Sequence, residues 1–249
     1  MRRAGLFLAF PGLLTSLLSR MKTVFLGLLL LSVAGAAPAQ TRLNLPLKHE
    51  LDSLSAVDQR WRVLLFDPRA QRNPDSLAAA LGVAKAALGP AIFRRMQQTD
   101  STDQLRMRAI IRQYGYPGKA LVGEPTNEAA WLVIQHSDDI KRYLPLIKTA
   151  AKQGELPFRL YAQMLDRQLM RDGQAQRYGT QGMQYTTTDP ATGRRAPQPL
   201  FIWPIEDAAG VNARRQQAGF DTTVEQSAGR LGVRYRVLTL KDVERMPKN

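Results

Sequence analysis

Phe158-Arg-Leu-Tyr-Ala-Gln-Met-Leu-Asp-Arg-Gln-Leu-Met-Arg-Asp172 decides the fold. Phe158, Ala162, Leu165 and Leu169 recur at helical spacing and make one apolar stripe. Leu160 and Met164 lie on the opposite side. A helix that is apolar on two sides is buried between neighbours, so the chain must supply other helices to cover it. Pro157 suits the first turn of this helix and Gly173 its end. Asp166-Arg167 sits in its middle, and ionised groups cost several kcal/mol to bury unless they are paired. Polar partners are therefore expected nearby.

Working outward, Leu47, Leu51, Leu54, Trp61 and Leu65 fall at spacings of three, four and seven, which predicts a helix over 47–65. Asp67-Pro68 ends it. A second helix is predicted over 76–98, capped by Asp75 and kinked or split at Gly89-Pro90, and a third over 101–114 with Leu105, Ile110 and Ile111 in the core. Gly115-Tyr116-Pro117-Gly118 reads as a stop and turn. Thr126 is placed to cap the apolar run 128–136, and Ser137-Asp138-Asp139 to break it and cap the next segment. That segment is expected to carry Pro145 in its first turn and to end near Gly154. After Gly173 the pattern changes. Residues 181–187 and 199–204 lean to β structure around Asp189-Pro190-Ala191-Thr192-Gly193, which predicts a small hairpin. A short helix over 211–218, a strand over 233–240 and a helical turn over 241–246 complete the reading. The expected fold class is mainly α, an orthogonal bundle of about six helices with a small C-terminal β-hairpin.

The N-terminal region reads as an address rather than as structure. Met21-Lys22, the apolar run from Val24 to Leu31 and Ala37-Pro38-Ala39 are the three parts of a secretory signal peptide. The run is shorter than the about 20 residues a bilayer span needs. Residues 1–39 are thus expected to be removed before Gln40, with Met21 as a possible true start. This leaves one mostly helical domain over 40–249, periplasmic or secreted, with no membrane span. The chain contains no cysteine, which excludes disulfides, lipid-modified cysteine, thiol catalysis and thiolate metal sites. Its net charge is +14, and residues 1–39 carry four basic residues and no acid, so the remainder carries +10. Such a surplus favours anionic partners. No nucleic-acid motif is present, and nucleic acid is not the expected partner.

The residues most apt to carry function fall between Gln135 and Gln181. They are Gln135-His136-Ser137-Asp138, Gly154-Glu155, Asp166-Arg167 and the run from Gly173 through Gln176, Arg177, Tyr178, Gly179 and Thr180 to Gln181. These blocks, with Trp131-Leu-Val-Ile ahead of His136, resemble a bacterial domain family of unknown function whose members are often exported. Asp58-Gln59 with Arg62, and Tyr114-Gly115, match its N-terminal half, and the resemblance covers about 58–220. The family has no assigned activity, so the resemblance implies membership and no chemistry. On its ground Asp58 and Arg62 join the candidate ligand-binding set.

Three readings of these residues stay open. In the first, Arg167 grips a carboxylate or phosphate, and Gln135, Gln176, Tyr178 and Gln181 line a pocket for a small polar or anionic ligand. In the second, an acid–base hydrolase uses His136 as base, oriented by Asp138 or Asp166, with Arg167 stabilising developing negative charge. In the third, the same residues only fix helix packing: Asp166-Arg167 is a buried ion pair, His136 satisfies a helix end, and Tyr178-Gly179 makes a tight turn. Glutamine-rich lining with one histidine favours binding. No metal or other cofactor is expected, because the only other histidine, His49, is distant in sequence and no paired-histidine spacing occurs. No nucleophile elbow, phosphate loop or dinucleotide fingerprint is present.

Overall fold

The computed structural model describes residues 42–66, 72–189 and 191–247. The expected signal segment, its cleavage site before Gln40 and Asp67-Pro68 lie outside the described residues. Helix α1 (Leu45–Phe66) buries Leu47, Leu51 and Trp61 along one stripe, and Asp58 lies in the same stripe. Helix α2 (Pro74–Leu81) is capped by Asn73 rather than Asp75, and Gly82 ends it in the left-handed conformation at φ 67°.

The helix expected over 76–98 breaks at Gly82 rather than at Gly89-Pro90, and helix α3 (Leu88–Tyr114) joins its second part to the helix expected over 101–114. The Ser101 and Thr102 hydroxyls donate back to the carbonyls of Gln97 and Gln98 (3.0 and 3.1 Å), so the polar run continues the helix instead of breaking it. Gly89-Pro90 falls in the first turn of α3, where the N–H that proline lacks has no helical partner to lose. Leu105, expected in the core, is 65% exposed, whereas Ile110 is buried and Ile111 packs at the core edge.

Short helices α4 (Lys119–Val122) and α5 (Ala129–Ile134) follow. Thr126 caps neither of them. Its hydroxyl donates to Asp52 at 2.6 Å and accepts from Lys48 at 2.9 Å, tying this segment to α1. Helix α6 (Ile140–Lys152) starts earlier than expected, so Pro145 lies inside it. Asp139 makes no side-chain cap; instead the Ser137 hydroxyl accepts from the Asp139 amide at 2.9 Å. Helix α7 (Phe158–Arg171) buries Leu160, Tyr161, Ala162 and Met164. It packs on α6, while α1 packs on α3 and α5. The main core draws Leu51, Ile110, Val133, Ile147 and Met164 from these five helices. A smaller cluster joins Trp61 to Ala78, Leu88 and Ile92.

The β structure is one long hairpin with an interrupted ladder. Strand β1 (Gly182–Met183) pairs antiparallel with β4 (Phe201–Ile202), and β2 (Thr186–Thr188) with β3 (Arg195–Pro197). Helices α8 (Val211–Gln217), α9 (Val224–Arg230) and α10 (Leu240–Glu244) complete the described chain. The expected strand over 233–240 is absent from the described residues; that stretch runs without regular pairing into α10. Ten α-helices are found among the described residues instead of about six, because α4, α5, α8, α9 and α10 are only four to seven residues long. The class is mainly α with a small C-terminal β element. No single helix among the described residues is long and apolar enough to cross a membrane.

Truncation should separate core from surface on α3. Ile110→Ala is expected to cost about 2–5 kcal/mol in urea denaturation, and Leu105→Ala about 0.5 kcal/mol or less. Equal losses would contradict this placement of α3.

Candidate functional site

Asp166 and Arg167 are neighbours in the chain, but a helix turns them about 100° apart, so they serve different neighbours. Asp166 is fully buried. Its carboxylate accepts the amides of Arg177 (2.7 Å), Tyr178 (3.1 Å) and Thr180 (3.1 Å) and the Thr180 hydroxyl (2.9 Å). Burial pushes its pKa up, and these hydrogen bonds oppose that shift. No Asp166–Arg167 ion pair forms. The acid is a staple that holds the loop after α7 against the helix.

Gln176, also fully buried, reinforces the staple. Its side-chain nitrogen donates to the carbonyls of Gln181 (2.9 Å) and Trp203 (2.7 Å), and its side-chain oxygen accepts the Gln181 amide (2.9 Å). Gly179 lies at φ 67°, and a Cβ there would come within 2.7 Å of Val224 and 2.8 Å of Ile205, so only glycine fits this turn. Tyr178 stacks obliquely on Phe220 at 6.3 Å. Asp166 and Gln176 have spent their hydrogen-bonding capacity inside the fold and do not face a ligand.

Arg167 is placed differently. Its Nη1 donates to the Gln135 carbonyl (2.9 Å) and its Nε to the Gln181 side-chain oxygen (3.3 Å). Its Nη2 makes no hydrogen bond among the described residues, and no described carboxylate lies within ion-pair distance. One turn on, Arg171 donates to the Ser137 carbonyl at 2.8 Å. The two guanidiniums thus hold the end of α5, where helix carbonyls lack partners. A hollow of about 220 Å³ opens here, lined by Gln135, Gln163, Arg167, Thr180 and Gln181 over Trp131 and Met164. Burial and the charges of Arg171 and Arg62 lower the Arg167 pKa.

His136 lies beyond Arg167, facing α1. The carboxylate opposite it is Asp58, not Asp166 or Asp138, with Nε2 3.9 Å from Asp58 Oδ2. That nitrogen is buried and has no hydrogen-bond partner. Asp58 is 1% exposed and accepts from Arg62 (2.9 Å) and Gln59 (2.6 Å), and Arg62 reaches on to Asp100 (2.8 Å). Burial pushes Asp58 up to about 6, with Asp100 and Asp103 adding to the rise and Arg62 and Gln59 opposing it. Burial also pulls His136 down to about 3, helped by Arg62, Arg167 and Arg171. At neutral pH the imidazole is neutral and Asp58 is ionised.

The structure therefore brings Gln135, Arg167 and Gln181 to one hollow and His136, Asp58 and Arg62 to an adjoining cluster. Asp166, Gln176 and Tyr178 are left to support the loop. Asp100 and Asp103 escaped the sequence reading, although Asp103 stands four residues before Met107 and seven before Ile110, in the buried stripe of α3. Asp58 shows the same signal, an acid standing where the stripe of α1 calls for an apolar side chain. No group of three or more metal-ligating side chains among the described residues is placed to hold a metal ion.

A family model described as a family of unknown function (DUF6624) matches residues 84–231. No curated protein and no solved structure matches the chain.

Two outcomes test this geometry. Asp166→Ala leaves three backbone amides without their acceptor and should lower stability by about 3 kcal/mol or more; a loss below about 1 kcal/mol would contradict the staple. His136 titrates well below its ordinary 6.5 in the fold, so its neutral form stabilises the protein above that pH, and this contribution is lost as pH falls toward 3. Wild type should lose stability relative to His136→Gln on acidification below 6.5, by at most about 1.4 kcal/mol per pH unit. Asp58 works in the opposite direction, because its raised pKa makes protonation favour the native state between about 6 and 3.8. Parallel pH profiles for wild type and His136→Gln would refute the assignment.

Proposed function

The chain belongs to this family of unknown function, and we propose that its domain binds a small polar ligand bearing a carboxylate or other anionic group. The carrying observation is the Arg167 guanidinium, set at a hollow among three glutamines with no carboxylate partner among the described residues. A planar guanidinium with free N–H groups recognises carboxylates in bidentate fashion. Glutamine side chains offer donors and acceptors without adding charge. We place the domain in the cell envelope, on the strength of the secretory pattern from Met21 to Ala39.

One observation favours a second reading, acid–base hydrolysis. The unpartnered His136 Nε2 faces the carboxylate of Asp58. Against it stands the same environment. An efficient general base has a pKa near the working pH, and burial, helped by the three arginines around His136, holds it near 3. Binding is therefore the stronger reading.

Calorimetric titration of the protein with glutamate, succinate and inorganic phosphate tests the proposal. At least one carboxylate should bind, and Arg167→Ala should weaken it by about tenfold or more. Arg167→Lys keeps the charge but loses the fork, and should recover only part of the affinity. Equal affinity in wild type and Arg167→Ala, or no carboxylate binding at all, would overturn the reading. Turnover of an ester or amide panel that vanishes in His136→Ala would favour hydrolysis instead.

A further inference from the structure

Arg215 is the largest fully buried side chain of the described residues, at 2% exposure, and no described carboxylate pairs with it. Its Nε donates to the Thr222 carbonyl (2.8 Å) and its Nη1 to the Tyr178 carbonyl (2.8 Å). Its Nη2 donates to the hydroxyls of Thr222 (3.2 Å) and Ser227 (2.6 Å). The ring of Phe220 lies beneath the guanidinium at 4.5 Å. Neutral groups make all its direct contacts, while Asp166, Glu225 and Asp221 act on it only from a distance against the cost of burial, so an anion in direct reach would further stabilise the charge.

Beside Arg215 a hollow of about 490 Å³ opens between α7, the loop at Gly179, the segment 219–222 and the second half of α9. Arg159 and Arg230 also line it. Arg159 is partly engaged by Glu128 at 3.1 Å. Arg230 is exposed and pairs with no acid among the described residues. Asp221 is the one acid among the lining residues. The two hydroxyls add direction. Thr222 Oγ1 and Ser227 Oγ lie 3.1 Å apart, and both accept from Arg215. One hydroxyl proton serves the bond between them, and the other remains free to donate into the hollow.

We propose that this hollow is a second anion site, which takes a tetrahedral oxyanion group, a phosphate or sulfate or an ester of either. Arg230 meets the anion from the rim, the Thr222–Ser227 pair donates a hydroxyl, and Arg215 supplies charge from below. It is separate from the Arg167 hollow, although Gln163 and Thr180 belong to the walls of both.

The test is titration of the full domain with inorganic phosphate and, in a second arm, sulfate, followed by amide NMR and calorimetry at low salt. The amides of Thr222, Ser227 and Arg230 should shift on saturation. Arg230→Ala, which removes an exposed side chain, and Ser227→Ala should each weaken binding by about fivefold or more. Lys152→Ala, a charge-matched change on the exposed face of α6, should leave it unaltered. Shifts confined to Gln135 and Gln181 would place the anion at the Arg167 hollow and overturn this site. So would equal affinity in wild type, Arg230→Ala and Ser227→Ala, or no response to either anion.

Discussion

The carboxylate of Asp166, closed off from water and held by four donors from one loop, is the constraint on which the candidate site depends. An unpaired carboxylate in that position would be prohibitively costly. Paired with the amides of Arg177, Tyr178 and Thr180, it forces the chain after α7 to turn back on the helix that carries the acid. That return brings Gln181 beside Arg167, sets Gly179 against Val224 and Ile205, and presents the Tyr178 carbonyl to Arg215. Both hollows therefore have walls that exist only because one acid is satisfied.

The charge distribution then separates structure from function. Two interior acids are held closely, Asp166 by amides and Asp58 by Arg62 and Gln59, whereas one buried oxygen of Asp103 lacks a hydrogen-bond partner. Not every interior or half-buried cation is matched in this way. Arg167 and Arg215 are held by carbonyls and hydroxyls, which orient a guanidinium without neutralising it, and exposed Arg171 is held in the same way. Guanidiniums that border hollows without a carboxylate in direct contact are suited to receive anions. Burial and, after it, the same positive environment keep His136 neutral, so an anion arriving near Arg167 would ease protonation of the imidazole, and binding and titration become linked.

Much of the fold was legible in the sequence, for identifiable reasons. The stripes of α1 and α7 follow from helical spacing, and Gly173 and Gly115 mark true ends. The failures have causes as specific. Thr99-Asp100-Ser101-Thr102 looks like a break, but hydroxyls bonding four residues back allow α3 to run through it. Thr223 with Gln226, and Thr239 with Asp242, are capping boxes that announce α9 and α10; the first passed unread, and the β-branched run after Gly232 masked the approach to the second. For the site, sequence proximity misled. The expected acids for His136 are Asp138 and Asp166, whereas the carboxylate that faces it, Asp58, comes from the first helix. Arg215 gave no signal at all, because nothing in the pattern Ala213-Arg-Arg-Gln216 tells which arginine turns inward.

Hydrogen exchange at three amides tests the central claim most directly. If Asp166 fastens the loop, the N–H groups of Arg177, Tyr178 and Thr180 exchange as slowly as the core amides of α7, opening only when the helix itself unfolds. Exchange at the rate of an open surface loop, with α7 still protected, would contradict the account and with it the shape of both hollows.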